Sequence, residues 1–190
     1  MEVFFVLEKT INKNDVFIDE YTEPESYGDN YLYGLPITRA EEPAKVYYKF
    51  KTHRKTDYIG GIHSFPVVSQ RFKEILLQIE PSYLEFHSVQ LICTKTSEVD
   101  TSYSMLNILN NIQCFDWERS EFRTYPTAPR VILGVSRLVV REGAIQDKNI
   151  VRMEELPTVI LVSARLKQQI ETARLTGIQF TQLENYRTGN

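Results

Sequence analysis

Two cysteines in 190 residues, Cys93 and Cys114, exclude a disulfide-framed fold. They do not form a C-x-x-C pair, so they spell no structural zinc site. Histidine is scarce as well. His53, His63 and His87 lack the four-residue spacing that sets two ligands on one helical face, and no metal site is expected. The longest apolar runs, such as Val3 to Leu7 and Val159 to Val162, are strand-length, far short of the roughly 20 residues of a membrane-crossing helix. Positive charge is not in excess: 22 Lys and Arg against 25 Asp and Glu leave a net −3. That balance gives no general pull toward nucleic acid or an anionic membrane. The opening Met1-Glu2-Val3-Phe4-Phe5 has no basic start and no small-residue cleavage site. The expectation is therefore a protein without a secretory signal, in a reducing, bacterial-type cytoplasm.

Motifs for chemistry are equally thin. Gly60-Gly61 is an isolated pair without the lysine-serine continuation of a phosphate loop, and it reads as a turn. Gly134-Val135-Ser136 lacks the flanking glycines of a nucleophile elbow. Cys93 sits in an apolar run and reads as a buried strand residue, whereas Cys114 with His87 forms a nucleophile pair only if the fold joins them. No catalytic residue and no cofactor are expected, and an enzyme of unrecognised type is the remotest reading.

What is present is an ordinary globular composition, 42% hydrophobic and 25% charged. A chain of this length buries roughly 70% of its unfolded surface. The charge is uneven. Residues 14–44 hold eight acids against Arg39 alone, a net −7, so the remainder carries +4. Tyr21, Tyr27, Tyr31 and Tyr33 lie in the same stretch among prolines and glycines. Two readings stand: a solvated acidic loop whose tyrosines pack down, or an interface rich in tyrosine and carboxylate. The chain divides into an N-terminal part, 1–60, with strands and this loop, and an α+β body, 61–190, the two forming one compact domain.

A repeat organises the body. Val68-Ser69-Gln70-Arg71-Phe72-Lys73 aligns without gaps on Val162-Ser163-Ala164-Arg165-Leu166-Lys167, 94 residues later. The same offset carries Leu76 onto Ile170, Leu84 onto Ile178 and Phe86 onto Phe180. Each copy reads as an apolar strand, a serine N-cap, a helix with one apolar stripe, and a second strand with one buried face. Gly177 stands where a C′ glycine would end the second helix. Two strand–helix–strand units, 65–92 and 158–184, are therefore expected. Further strands are expected at Val3 to Leu7, Val46 to Phe50, Glu121 to Tyr125 and Val131 to Val140, while Tyr103 to Leu109 suits a strand or a short helix. The fold class is α+β, with a mixed or antiparallel sheet and few helices.

Two local strings remain. Cys114-Phe115-Asp116-Trp117-Glu118-Arg119 holds the only tryptophan. Trp117 is either an anchor for a partner's pocket or, with Phe115 and Phe122, a cap on the core. The pair Asp116 and Glu118 has the composition of a glycosidase acid pair but no legible geometry. The basic run Lys45, Lys49, Lys51, Arg54 and Lys55, with Tyr47, Tyr48 and Phe50, raises single-stranded nucleic acid binding. Its alternation fits a half-buried edge strand guarded by lysines better.

Phe65-Pro66-Val67-Val68-Ser69 with Phe72, Tyr103 to Leu109 followed by Cys114-Phe115-Asp116, and Pro157 to Phe180 resemble the bacterial polymorphic-toxin immunity proteins of family 11, formerly a family of unknown function. The resemblance runs over about residues 60 to 185, with little contributed by the first sixty. It implies a cytoplasmic antidote that binds and neutralises a cognate toxin, without catalytic residues. A toxin with a basic, nucleic-acid-directed cleft would suit the acidic loop. The expected partner surface is then Asp19, Glu20, Tyr21, Glu23, Glu25, Tyr27, Asp29, Tyr31 and Tyr33, with Trp117 as a second anchor. No membrane or nucleic acid partner is expected, and the alternative is a different interaction or nucleic-acid-binding module.

Overall fold

A computed structural model describes residues 3–22, 24, 30–31, 33–37, 42–61 and 65–188. The chain begins with β1 (Phe4–Lys9), β2 (Phe17–Ile18), β3 (Glu20–Thr22), β4 (Ala44–Tyr48) and β5 (Tyr58–Gly61). Next come β6 (Val67–Ser69), α1 (Gln70–Ile79), β7 (Leu84–Cys93), β8 (Val99–Asp100) and β9 (Tyr103–Ile108). The second half holds β10 (Asn111–Ile112), β11 (Glu121–Tyr125), β12 (Ala128–Arg137), β13 (Ile150–Met153), β14 (Leu156–Ser163), α2 (Ala164–Thr172) and β15 (Ile178–Gln182). Strand outweighs helix and the sheets are mixed, which is an α+β fold. Tyr103 to Ile108 is a strand.

The first sheet runs β2-β5-β6-β9-β7-β4-β3, with β8 beside β7. β2 and β3 stand at its two ends yet are separated by Asp19 alone, so one segment closes the sheet on itself. The basic run therefore does not lie on an edge strand: β4 is flanked by β7 and β3, with Val46 and Tyr48 buried, while Phe50 lies beyond the strand and is exposed. The second sheet runs β10-β13-β14-β1-β15.

These two orders are the same arrangement built twice. β2 is parallel to β5, as β10 is to β13; β5 is antiparallel to β6, as β13 is to β14. In neither half do the strands flanking the helix pair with each other. β9 lies between β6 and β7, and β1 lies between β14 and β15, antiparallel to both neighbours in each case. The registers agree residue by residue: Tyr103 faces Ser69 as Phe4 faces Ser163, and Leu106 faces Phe86 as Leu7 faces Phe180. The N-terminal strand thus fills in the second half the place that β9 fills in the first.

Packing follows the same doubling. A central cluster joins Val68 with Val162, Phe72 with Leu166, Leu76 with Ile170 and Leu106 with Leu7, so the two helices and the inner faces of both sheets share one core. Alternate strand residues point the other way, because successive side chains leave opposite faces of a strand. Val67 and Met105 then enter an outer cluster inside the closed sheet, together with Tyr31 and Ile37. Leu161 and Val6 enter another, roofed by Val135, Phe115 and Phe122 of the second half. Between β2 and β5 the chain inserts residues 19–57, and between β10 and β13 it inserts 113–149; each insertion covers the outer face of its own half.

Both helices start on the serine the sequence marks. Ser69 Oγ accepts the Phe72 N–H at 3.3 Å, and Ser163 Oγ accepts the Leu166 N–H at 3.2 Å. Each serine also donates its hydroxyl, to Asp57 Oδ1 at 2.7 Å and to Asn149 Oδ1 at 3.1 Å. The end of α2 differs from the expectation. Arg174, at φ 53°, takes the left-handed position, its N–H reaching Glu171 O at 3.0 Å while Leu175 N–H reaches Ile170 O at 3.2 Å. That double bond is a Schellman closure. Gly177 instead serves the turn into β15, where a side chain would meet Tyr58 O at 2.2 Å and φ is +78°.

Candidate functional site

The acidic segment enters through β3 and leaves through residues 33–37. At its entry Asp19 is bonded to Lys49 Nζ at 2.8 Å, its N–H donates to Tyr47 O at 3.1 Å, and Glu20 is exposed. Tyr21 is half-buried and meets Phe65 edge-on at 5.7 Å. Tyr31 departs from the expected surface set: it is 3% exposed and also meets Phe65 edge-on, so it anchors the segment from inside. Tyr33 is 53% exposed. Glu23, Glu25, Tyr27 and Asp29 lie outside the described residues.

The exit is pinned by polar side chains with no obvious signature in the sequence. Asn107 Nδ2 donates to Leu35 O at 2.8 Å and to Glu85 Oε2 at 3.1 Å, and the same Glu85 oxygen accepts the Ile37 N–H at 3.1 Å. Asn111 Nδ2 donates to Tyr33 O at 2.9 Å. Gly34, at φ +62°, lies so close to β9 that a side chain would meet Ile108 O at 2.5 Å. A fully buried asparagine inside the apolar run 103–109 is the one hint the sequence offers, since a buried amide must find partners.

The neighbouring cations are occupied. Beyond Lys49 with Asp19, Lys51 meets Glu98 at 2.7 Å, Arg54 meets Asp15 at 2.8 Å and Lys55 meets Asp100 at 2.7 Å. The hydrogen bond from Lys51 holds the Glu98 carboxyl below its ordinary range. Of the five cations only Lys45 has no carboxylate partner among the described residues. A strip neutralised in this way offers little to a phosphate backbone.

Trp117 belongs to the other insertion. Its ring meets Phe115 at 4.9 Å and Phe122 at 5.3 Å, edge to face, and it remains 37% exposed. It forms one wall of a groove of about 490 Å³ with Gln113, Arg130, Arg141, Glu154 and Glu155. The same residue therefore braces the core and faces solvent. Asp116 is a turn cap: its Oδ2 is bonded to Arg119 Nε at 2.7 Å and its Oδ1 accepts the N–H groups of Glu118 and Arg119. The Arg119 side chain, with those N–H groups, holds the carboxyl below its ordinary range. That leaves no acid pair with Glu118.

Cys114 is buried beneath β11 and β12, where burial pushes its thiol up to about 12. His87 lies on β7 of the other sheet, 3.2 Å from Glu85 Oε2, so the fold does not join the two. Among the described residues no three His, Cys, Asp or Glu side chains gather as metal ligands, and no helix is long and apolar enough to cross a membrane.

The class these features define is an α+β protein on a doubled frame, each half carrying its own surface insertion. The chain belongs to the Imm11 immunity protein family, whose model matches residues 6–185. The match reaches β1 and the whole acidic segment, well ahead of the region that carries the resemblance in the sequence. No curated protein matches the chain.

Proposed function

We propose that this chain is a non-catalytic antidote of the bacterial cytoplasm that binds one cognate toxin and neutralises it. Family membership across residues 6–185 carries the reading. The toxin-binding surface is assigned to Asp19, Glu20, Tyr21, Glu23, Glu25, Tyr27, Asp29 and Tyr33, with Trp117 as a separate anchor. Three observations support it. Glu20 and Tyr33 are exposed, the exit of the segment is fastened through Glu85, Asn107 and Asn111, and of the adjacent lysines Lys51 and Lys55 are matched by carboxylates outside the segment and Lys49 by Asp19. A fastened base lowers the ordering cost of binding. Negative charge over a basic, nucleic-acid-directed cleft would speed capture and block substrate.

The test uses the partner recovered with this chain as bait from the cells that make it. Glu20→Lys, Glu23→Lys and Glu25→Lys together should slow association with that partner by about tenfold at low salt, with the effect shrinking as ionic strength rises. Association unaltered by the three reversals would move the surface elsewhere. A bait that recovers nucleic acid, or no toxin-like partner, would overturn the function itself.

A further inference from the structure

The second insertion raises a two-stranded ribbon over the outer face of its half. β11 pairs only with β12, in a two-stranded sheet of its own. Its inner side is spent on the core: Phe122 and Ile132 pack against the outer cluster of the second half, and Val135 is buried within it. Alternation turns Arg123, Tyr125, Val131 and Leu133 the other way, and β11 shows it directly, with exposed and half-buried residues in strict succession. Tyr125 is 48% exposed, Val131 50% and Leu133 41%, three large apolar surfaces on one small ribbon. Arg123 is exposed and stands opposite Gly134.

The charge on this ribbon is opposite to that of the acidic segment. Residues 121–137 hold three arginines, one glutamate and no lysine, a net +2 in a chain of net −3. Arg130 turns with Ile132 to the other side and lines the Trp117 groove, so the outward side holds Arg123 and Arg137 against Glu121, which lies 4.0 Å from Arg137. Arginine, tyrosine and aliphatic side chains together are the composition of a protein-binding patch, and guanidinium groups match carboxylates in a two-pronged geometry. A nucleic acid would use the cations and leave Val131 and Leu133 unsatisfied. Addition of a strand to the edge is disfavoured too, because the pairing breaks register after Glu121, Arg123 and Thr124, and such bulges blunt an edge. The face remains.

We propose that this outward face, Arg123, Tyr125, Val131 and Leu133 with Arg137 at its margin, docks an acidic surface of a partner protein. The assignment does not depend on the acidic segment's partner.

The test places a photo-cross-linking p-benzoylphenylalanine at position 131 of the full chain, expressed in the cells that make it, with position 77 on α1 as a control. The expected result is a protein adduct at 131, absent at 77, whose linked peptide carries more Asp and Glu than Lys and Arg. Its yield should fall by about fivefold or more when Arg123→Glu and Arg137→Glu are added. Thermal melts of both proteins confirm equal folding, and Leu133→Lys in place of the arginine changes should lower the yield by itself. No adduct at 131, a linked peptide without acidic excess, a link to nucleic acid or to a second copy of the chain, or a yield indifferent to the substitutions would each overturn the proposal. Whether the adduct is a toxin decides nothing here, so the two surfaces fail or stand separately.

Discussion

Asp57 is the residue through which the doubled frame should be most sensitive to a single change. It is 6% exposed, and its carboxylate accepts the Ser69 hydroxyl at 2.7 Å, the Thr176 N–H at 2.9 Å and the Thr176 hydroxyl at 2.9 Å. It therefore ties the start of α1 to the turn after α2, and Arg71 reinforces the tie by donating to Ala173 O at 2.8 Å. Asp57→Ala leaves three donors without their acceptor in a half-buried site. Hydrogen bonds to a charged acceptor contribute about 1.5–3 kcal/mol each, and members of one network are not additive, so the expected cost is about 3–5 kcal/mol. For a chain of this size that is a fall of roughly 6–20 °C in Tm. The pseudo-equivalent Asn149 supplies an internal standard, since its neutral oxygen accepts only the Ser163 hydroxyl. Asn149→Ala should cost about 1 kcal/mol. Urea unfolding of the two variants beside the parent measures both numbers. Equal costs, or a cost below about 1 kcal/mol for Asp57→Ala, would refute the idea that this carboxylate joins the halves.

Arg152 is 2% exposed and gives one hydrogen bond to Pro157 O, while its Nε and Nη2 find no partner among the described residues. Arg152→Met should therefore leave stability unchanged or raise it by up to about 2 kcal/mol in urea unfolding, whereas a loss of that size would mean the guanidinium is satisfied in solution. Asp15 sets a pH dependence. Burial alone would raise its pKa, but the N–H and side chain of Asn12 and the guanidinium of Arg54 outweigh burial and hold it below its ordinary value. A carboxyl depressed in the folded state stabilises above its unfolded pKa, about 3.9, and loses that contribution as pH falls through the folded one. Asp15→Asn should accordingly destabilise at pH 7, with the gap to the parent closing as pH falls from the unfolded value through the lower folded one; a gap constant with pH would show that the charge is not involved.

What the sequence made legible was set by distance along the chain. Ser69 with Phe72 and Leu76, and Ser163 with Leu166 and Ile170, declare themselves because caps and helical stripes are local patterns. Asp57 and Asn149 perform the same task at both helix starts, but each reaches its serine across a strand or a loop, and no short-range rule marks such a residue. The placement of β1 is hidden for the same reason. Its alternation announces a strand, while the partners that complete the second sheet lie more than a hundred residues away. Tyr31 follows the reading in which the tyrosines pack down and leaves the expected partner surface, because Phe65 offers an edge-on partner inside the closed sheet and the ring goes there. Arg174 was missed because glycine is the usual left-handed closure, and here the Leu175 contact with the core makes a costlier residue acceptable.

The doubling also limits where recognition can reside. The corresponding residues that face the central core, such as Phe72 with Leu166 or Leu106 with Leu7, are spent on packing, and the two serines are spent on caps. Changing any of them to suit a partner would cost packing or a helix start. The insertions are freer, since each meets the frame through one apolar side and turns its other side to solvent. They also differ in charge: residues 19–57 hold eight acids against six bases, whereas 113–149 hold five acids against six bases. Two outer faces on a shared core, unlike in sign, allow one face to be reshaped while the other and the frame between them stay intact. For the antidote role proposed above, that separation of frame from surface is the physical condition for changing specificity without unfolding.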